Sequence, residues 1–159
     1  MNPDLTIRLA TRSDTVSIAR MSRDLIERGL GWSWTPSRVQ RSVGDPETNV
    51  AVAGIGGRTV AFGIMKYHVD EAHLLLLAVQ PDRGRQGIGA ALVAWLEASA
   101  RVAGVGQVYL EARATNGGAR AFYRRLGYDE IQRVPGYYRG VEASVRMAKD
   151  LWLEQPASA

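Results

Sequence analysis

The sequence predicts an α/β protein built on a mixed β-sheet with helices on both faces. Three strand patterns follow one another in the middle of the chain, and strands joined by short turns pair antiparallel. After the third of these, an amphipathic helix leads to a further strand, which predicts a parallel, right-handed step. The sheet is therefore expected to be mostly antiparallel with one parallel pair.

Two helices are predicted between the first strand and the three central ones. Alternating apolar and polar residues at 7–10 predict the first strand. Ser13 or Asp14 is placed to cap a helix that runs to about Arg28, because apolar residues recur there at helical spacing. A loop and a proline then lead into a short helix at about 37–43.

The remaining elements follow from turns and apolar runs. A Gly-Gly pair at 56–57 predicts a hairpin, and the apolar run at 74–79 predicts a buried strand. Glycines end both later helices. The further predicted strands cover residues 49–54, 59–68, 71–79, 107–112, 128–134 and 144–151, and the helices cover 88–102 and, after a cap at Thr115 or Asn116, residues up to 126.

The length and composition limit the number of domains and the kinds of site that the chain can form. The 159 residues correspond to about one domain, so we expect a single domain over 1–153 and a flexible tail at 154–159. The absence of cysteine excludes disulfides, thiolate metal sites and a cysteine nucleophile, and with only two histidines we expect no metal. No signal-like start and no apolar run beyond six residues are present, so we expect a cytoplasmic protein without a membrane partner.

The turn at 81–90 lies between a buried strand and an amphipathic helix, where backbone N–H groups bind phosphate well. Gly87 and Gly89 permit close backbone approach and positive φ, and Arg83 and Arg85 add charge. A P-loop is excluded because no lysine follows the glycines, and a dinucleotide fingerprint fails because its third glycine would be Leu92. A phosphate site and a plain tight turn remain as alternatives.

The net charge of +4 indicates an anionic partner. The arginines are dispersed and do not alternate with aromatic residues, so we expect no nucleic-acid partner. The two arginines at the turn offer a different explanation for part of this charge.

Three segments together resemble the acetyl-CoA-binding core of the GNAT N-acetyltransferases. They are Ala78-Val-Gln-Pro81, Arg85-Gln-Gly-Ile-Gly89 and Asn116-x-x-x-Arg-Ala-Phe-Tyr-Arg-Arg-Leu-Gly-Tyr128. The resemblance extends from about residue 69 to 151, and within the family it is strongest to the ribosomal-protein alanine N-acetyltransferases. It implies the GNAT fold, in which the parallel strands splay apart, and acetyl-CoA as co-substrate.

The resemblance also implies which residues contact the cofactor. The family has Arg or Gln three residues before the first glycine of the turn, and this chain has Gly84 there, which places one pyrophosphate contact in question. The implied contacts are Leu77, Ala78, Val79, Arg85, Gln86, Gly87, Ile88, Gly89, Ala90 and Asn116.

By the same resemblance, Glu111 is the general base and Tyr123 the general acid. A carboxylate at a strand end takes a proton from the amine, and a phenol two helical turns after Asn116 offers one to the departing thiolate. The alternatives are a solvent-facing carboxylate and a core tyrosine. His68 and His73 are weaker candidates for the base. Without cysteine, direct transfer is preferred over an acyl-enzyme.

The acceptor is predicted to be a primary amine, with a protein N-terminus favoured. A small-molecule amine such as a polyamine, amino acid or antibiotic is the alternative, and a non-catalytic acyl-CoA-binding module is a third reading. Trp34, Tyr137 and Tyr138 are expected to line the acceptor groove, although Trp34 equally suits a cover for the core. The sequence leaves room for a homodimer.

Overall fold

The computed structural model of the chain describes residues 4–84, 86–138 and 142–153, with the backbone alone at Tyr137 and Tyr138. Within these residues it contains the predicted succession of strands and helices. The strands are β1 (Thr6–Leu9), β2 (Thr48–Ile55), β3 (Arg58–Tyr67), β4 (Glu71–Val79), β5 (Gln107–Arg113), β6 (Asp129–Tyr138) and β7 (Glu142–Asp150), and the α-helices are α1 (Thr15–Met21), α2 (Pro36–Gly44), α3 (Ile88–Val102) and α4 (Gly117–Arg125).

The strands form one mixed sheet in the order β1-β2-β3-β4-β5-β7-β6. The pairs β1–β2, β2–β3, β5–β7 and β6–β7 are antiparallel, and β4–β5 is the parallel pair. The predicted mostly antiparallel sheet with one parallel step is confirmed, and most element ends agree with the sequence prediction within two residues.

Contacts within the chain divide it into two compact units. The first comprises Met1–Lys66 and Leu74–Ser99, and the second comprises Tyr67–His73 and Ala100–Ala159. The single domain over 1–153 stays a prediction, and the predicted tail at 154–159 lies outside the described residues.

In the first unit, helices cover both faces of the sheet. Phe62 and Ile64 on β3 are fully buried in a core that also holds Ile18 of α1. Gly63 lies between them and faces the other way, as alternation along a strand requires. A Cβ at Gly63 would come within 2.9 Å of Leu96 of α3, so this helix packs closely on the opposite face.

In the second unit, β5, β7 and β6 pair side by side and α4 leads directly into β6. Tyr128 is 1% exposed and packs edge-on against Tyr123, with 5.7 Å between the ring centroids. Between the helix and this buried ring, Gly127 adopts a φ of +97°, which favours glycine. The turn therefore allows the buried tyrosine to follow the helix directly.

The first predicted helix differs from the observed one. Instead of continuing to Arg28, α1 ends at Met21 and the chain widens into a π-helix over Ser22–Ile26. The N–H of Glu27 donates to the carbonyl of Ser22 across five residues, at 2.8 Å. The Glu27 side chain explains this turn, because its Oε2 accepts from Ser22 Oγ at 2.7 Å in the interior.

Glu27 also holds the loop that follows. Its Oε1 accepts from the Ser33 N–H and the Ser33 hydroxyl, each at 2.7 Å, and from the Trp34 N–H at 3.3 Å. Burial raises the pKa of Glu27, but these hydrogen bonds outweigh burial and hold its pKa below the ordinary value. The carboxylate is therefore charged, buried and responsible for the shape of the loop.

We predict that Glu27→Gln lowers the free energy of unfolding at pH 7 by about 1–3 kcal/mol, since buried donors lose a charged acceptor. The folded-state pKa lies below the unfolded value, so the stabilisation is complete above a pH of about 4.3 and fades as pH falls through the folded pKa. Urea unfolding from pH 7 to pH 3 checks this. The exposed Glu47→Gln serves as control, and a stability gap that persists undiminished in acid would contradict the prediction.

Candidate active site

The turn after β4 begins with a short 3₁₀-helix at Pro81–Arg83. Asp82 forms an ion pair with Arg58 at the start of β3, with 2.8 Å between Oδ2 and Nη1. The Gly84 N–H then donates to the Pro81 carbonyl at 3.2 Å. These contacts anchor the first part of the turn on the hairpin of the same unit.

The second part of the turn presents backbone donors. The Ala91 N–H donates to the Gly87 carbonyl at 3.0 Å, so it is an early hydrogen bond of α3. The N–H groups of Ile88, Gly89 and Ala90 precede it and have no acceptor within the helix. Together with the dipole of this 15-residue helix they form an anion-binding arrangement.

The glycines of the turn differ in backbone conformation and in the space around them. Gly87 has a φ of +76°, as expected, whereas Gly89 lies in the first turn of α3 and does not have positive φ. Gly84 has a φ of −65°, and a Cβ there would meet only the Pro81 carbonyl, at 3.5 Å. Gln86 is exposed, and Arg85 lies outside the described residues.

The expected cofactor residues of β4 face two ways. The Ala78 side chain is buried in the core beneath α1 and α2, beside Leu76. Leu77 points to the other face, where its Cδ1 lies 3.3 Å from the position of a Cβ at Gly63. Val79 is half-buried at the end of the strand. Packing therefore occupies the side chains of Leu77 and Ala78.

In the second unit, Glu111 lies on β5 beside a histidine. Its Oε2 is 2.6 Å from Nε2 of His73 at the start of β4, and the Glu111 side chain is 12% exposed. On the neighbouring strand Arg146 is opposite in register, but its guanidinium lies over the Tyr109 ring. Glu111 is therefore a largely buried carboxylate paired with an imidazole, not a solvent-facing strand residue.

Asn116 and Tyr123 belong to α4 of the same unit. Asn116 caps the helix as predicted, because its Oδ1 accepts from the Ala119 N–H at 3.0 Å. Tyr123 lies seven residues later, about 10 Å along the helix axis. Its half-buried ring packs edge-on between Phe122 and Tyr128, at 5.0 and 5.7 Å between centroids. These contacts fix the ring and leave part of it exposed.

The residues expected at the acceptor groove are only partly described. Trp34 is 8% exposed and belongs to the core of the first unit, while its ring also lines a surface pocket. The side chains of Tyr137 and Tyr138 lie outside the described residues. His68 is exposed beyond the end of β3. Of the two histidines, only His73 contacts a residue that was expected to be catalytic, namely Glu111.

A model of the Acetyltransferase (GNAT) family matches residues 19–128, which include the turn, β5 and α4. The chain belongs to this family. It is an acetyl-CoA-dependent N-acetyltransferase, as the resemblance implied. The family assignment makes acetyl-CoA the co-substrate and an amine the acceptor.

Individual relatives agree with the family assignment. The [Ribosomal protein bS18]-alanine N-acetyltransferase of Escherichia coli strain K12 is 34% identical over 70% of this chain and 75% of its own length. An N-alpha-acetyltransferase of Sulfurisphaera tokodaii is 36% identical over 52% of this chain and 50% of its own. The crystal structure of the ribosomal-protein-S18-alanine N-acetyltransferase from Escherichia coli has a TM-score of 0.80, 27% identity and 98% coverage of both chains. The predicted GNAT fold is thereby confirmed.

The described residues contain neither a metal-binding cluster nor a membrane-spanning helix. No group of three or more His, Asp or Glu side chains there is arranged to hold a metal ion. Within the same residues, no helix has the length and apolar character needed to cross a membrane.

We predict that Gly87→Ala weakens acetyl-CoA binding and lowers stability by about 1 kcal/mol, because an L-residue is strained at a φ of +76°. Gly84→Ala, in the same turn, is the matched control, since its φ of −65° accepts any residue and the added Cβ fits. Thermal unfolding with and without acetyl-CoA measures both effects. Equal behaviour of the two variants would show that the left-handed residue does not shape the turn.

Proposed function

We propose that this enzyme transfers the acetyl group of acetyl-CoA directly to the α-amine at the N-terminus of a protein. The named activities of the bS18-alanine and N-alpha relatives support this acceptor. The chemistry supports it as well, since an α-amine has a pKa of about 7.7–8.0 and a lysine amine about 10.4. An α-amine is therefore more easily made neutral for attack on the thioester.

The cofactor is proposed to bind through backbone donors. The N–H groups of Gly87, Ile88, Gly89 and Ala90 would hold the pyrophosphate, with Gln86 beside it, and Arg85 is proposed as a further contact from the sequence alone. Because packing occupies the side chains of Leu77 and Ala78, β4 would contribute main-chain groups up to Val79, including a donor for the oxyanion. The Oδ1 of Asn116 is used in the helix cap, which leaves its Nδ2 to donate to the cofactor.

One observation carries the mechanism, namely the 2.6 Å contact between His73 Nε2 and Glu111 Oε2. A His73 that donates from Nε2 to Oε2 fixes the orientation of the Glu111 carboxylate, so that Oε1 is the atom that accepts the proton of the incoming ammonium. The neutral amine then attacks the thioester carbonyl and forms the N–C bond, its nitrogen gives up its second proton to solvent, and the C–S bond breaks with the electron pair passing to the sulfur. Glu111 releases the proton it accepted to solvent before the next cycle. We propose that the Tyr123 hydroxyl gives its proton to the departing thiolate, and that solvent restores it.

We predict that Glu111→Gln lowers kcat by about 10²–10⁴-fold, because the amide cannot take the proton. His73→Gln is expected to lower kcat by about tenfold, since it removes the orienting imidazole and keeps the carboxylate. Neither change should alter the Kd for acetyl-CoA by more than about twofold, as binding rests on backbone groups elsewhere. Steady-state kinetics with an N-terminal peptide and calorimetric titration of acetyl-CoA measure these values.

The control for these variants is Asp129→Asn, which removes an exposed carboxylate from the same unit and should leave both constants unchanged. A Glu111→Gln enzyme with full kcat would exclude this carboxylate as the base.

We predict that Tyr123→Phe lowers kcat at least about 100-fold while acetyl-CoA affinity stays near that of the parent. Phenylalanine preserves the edge-on packing against Phe122 and Tyr128 and removes only the hydroxyl. Tyr109→Phe on β5 removes a hydroxyl elsewhere in the unit and serves as control. An unaltered rate in Tyr123→Phe would remove this residue from the role of acid.

The acceptor is tested by an amine panel. Stabilisation by acetyl-CoA in a thermal shift assay is expected first, followed by acetylation of short peptides in preference to polyamines, free amino acids and aminoglycosides. Preference for a small amine would replace the proposed acceptor, and binding of acetyl-CoA without transfer to any amine would favour a binding module. The cytoplasmic location and the homodimer stay predictions.

A further inference from the structure

We propose that a basic pocket in the first unit binds an acidic side chain of the peptide acceptor. This inference rests on the proposed function, because it assigns part of the same acceptor. The pocket has a volume of about 310 Å³. The residues around it that matter here are Trp34, Arg38, Arg41, Asp45, Lys66 and Leu75.

The charges around the pocket do not cancel. Asp45 is the only carboxylate among the described residues that line the pocket. It already accepts hydrogen bonds from the Glu47 N–H at 2.9 Å and from Thr48 Oγ1 at 2.8 Å. Lys66 lies 3.9 Å from the same carboxylate, so one positive charge has a partner. Within the described residues, no ion pair involves Arg38 or Arg41. Two guanidinium groups are therefore available to an anion.

Arg38 is held in place before any ligand arrives. Its guanidinium carbon lies 3.8 Å from the centroid of the Trp34 ring, a close cation–π stack. Trp34 is itself fixed, because its ring is in the core and its main-chain N–H donates to the buried Glu27 carboxylate. A guanidinium stacked by its face keeps the N–H groups of its edge for a carboxylate. The binding group is thus rigid, which reduces the entropy lost on binding.

The two arginines reinforce each other as a site for an anion. Arg38 and Arg41 are three residues apart on α2, which places them on the same face of the helix. Two like charges at this spacing repel, and an anion between them removes the repulsion. Carboxylates bind arginine through paired, charge-assisted hydrogen bonds. The arrangement therefore favours an acidic ligand and disfavours a basic one.

The wall of the pocket includes β4, the strand proposed to contact the cofactor, so the distance from the pocket to the reaction site can be compared with the length of a peptide. Leu75 on β4 contributes to its wall and lies two to four residues before the segment from Leu77 to Val79. At about 3.3 Å per residue, Leu75 is about 7–13 Å along β4 from this segment. An extended peptide advances by about 3.3–3.6 Å per residue, so an acidic side chain two to three residues after the reactive amine spans this distance. The structure thus assigns specificity for Asp or Glu near the third position.

The test compares two five-residue peptides that differ only in Asp or Asn at the third position. We expect kcat/KM of the parent enzyme to be about tenfold higher for the Asp peptide, mainly through KM, and this preference to shrink in 0.5 M NaCl. Arg41→Gln and Arg38→Gln should each remove most of the preference and leave kcat for the Asn peptide unchanged. Arg125→Gln, an exposed arginine on α4, is the control. Arg41 is exposed as well, so its replacement does not disturb the core.

Equal kcat/KM for the two peptides, or a preference that survives in both pocket variants, would overturn the proposal. Binding is measured separately from catalysis with the same peptides carrying an N-terminal acetyl group, by calorimetric titration in the presence of CoA. Tighter binding of the acetylated Asp peptide without turnover of its free form would keep the pocket and refute the proposed acceptor. Equal binding of both acetylated peptides would refute the pocket whatever the enzyme acetylates.

Discussion

A buried carboxylate needs hydrogen-bond donors, and the segment from α1 to α2 folds so that Glu27 receives them. Ser22 supplies one donor through the π-helix, and Ser33 and Trp34 supply the others. The loop between α1 and α2 is thereby fixed, Trp34 enters the core, and Arg38 stacks on its ring. Packing alone would hold the tryptophan, but it would not set the path of the polar loop before it.

In the proposed site, main-chain groups bind the cofactor and side chains carry out the proton transfers. The turn before α3 offers main-chain donors whose positions depend on backbone conformation, above all on Gly87. In the proposed mechanism proton transfer depends on side chains, and the Glu111–His73 contact and the packed Tyr123 ring hold two of them. Substitutions at these side chains are therefore expected to change kcat without changing the backbone of the turn before α3.

Local signals predicted most of the fold. The bounds of α3 and β4 agree with their predictions, because an apolar repeat and flanking glycine or proline residues define them within the segment itself. The π-helix was missed because it depends on Ser33 and Trp34, which follow after the helix has ended. The contact between His73 and Glu111 could not be predicted for a similar reason, since the two residues lie 38 positions apart in the chain. The basic pocket joins α2 to β3 and β4, and no spacing along the chain displays it.

Gly84 has one consequence for the catalytic cycle. A side chain would fit there without strain, so the fold does not demand this glycine. In the proposed site, the missing family contact is one to the pyrophosphate, which acetyl-CoA and its product CoA share. Affinity given up at this position is therefore given up equally for the substrate that must enter and for the product that must leave. In the proposed site we therefore expect this glycine to weaken both the capture of acetyl-CoA and the inhibition by CoA.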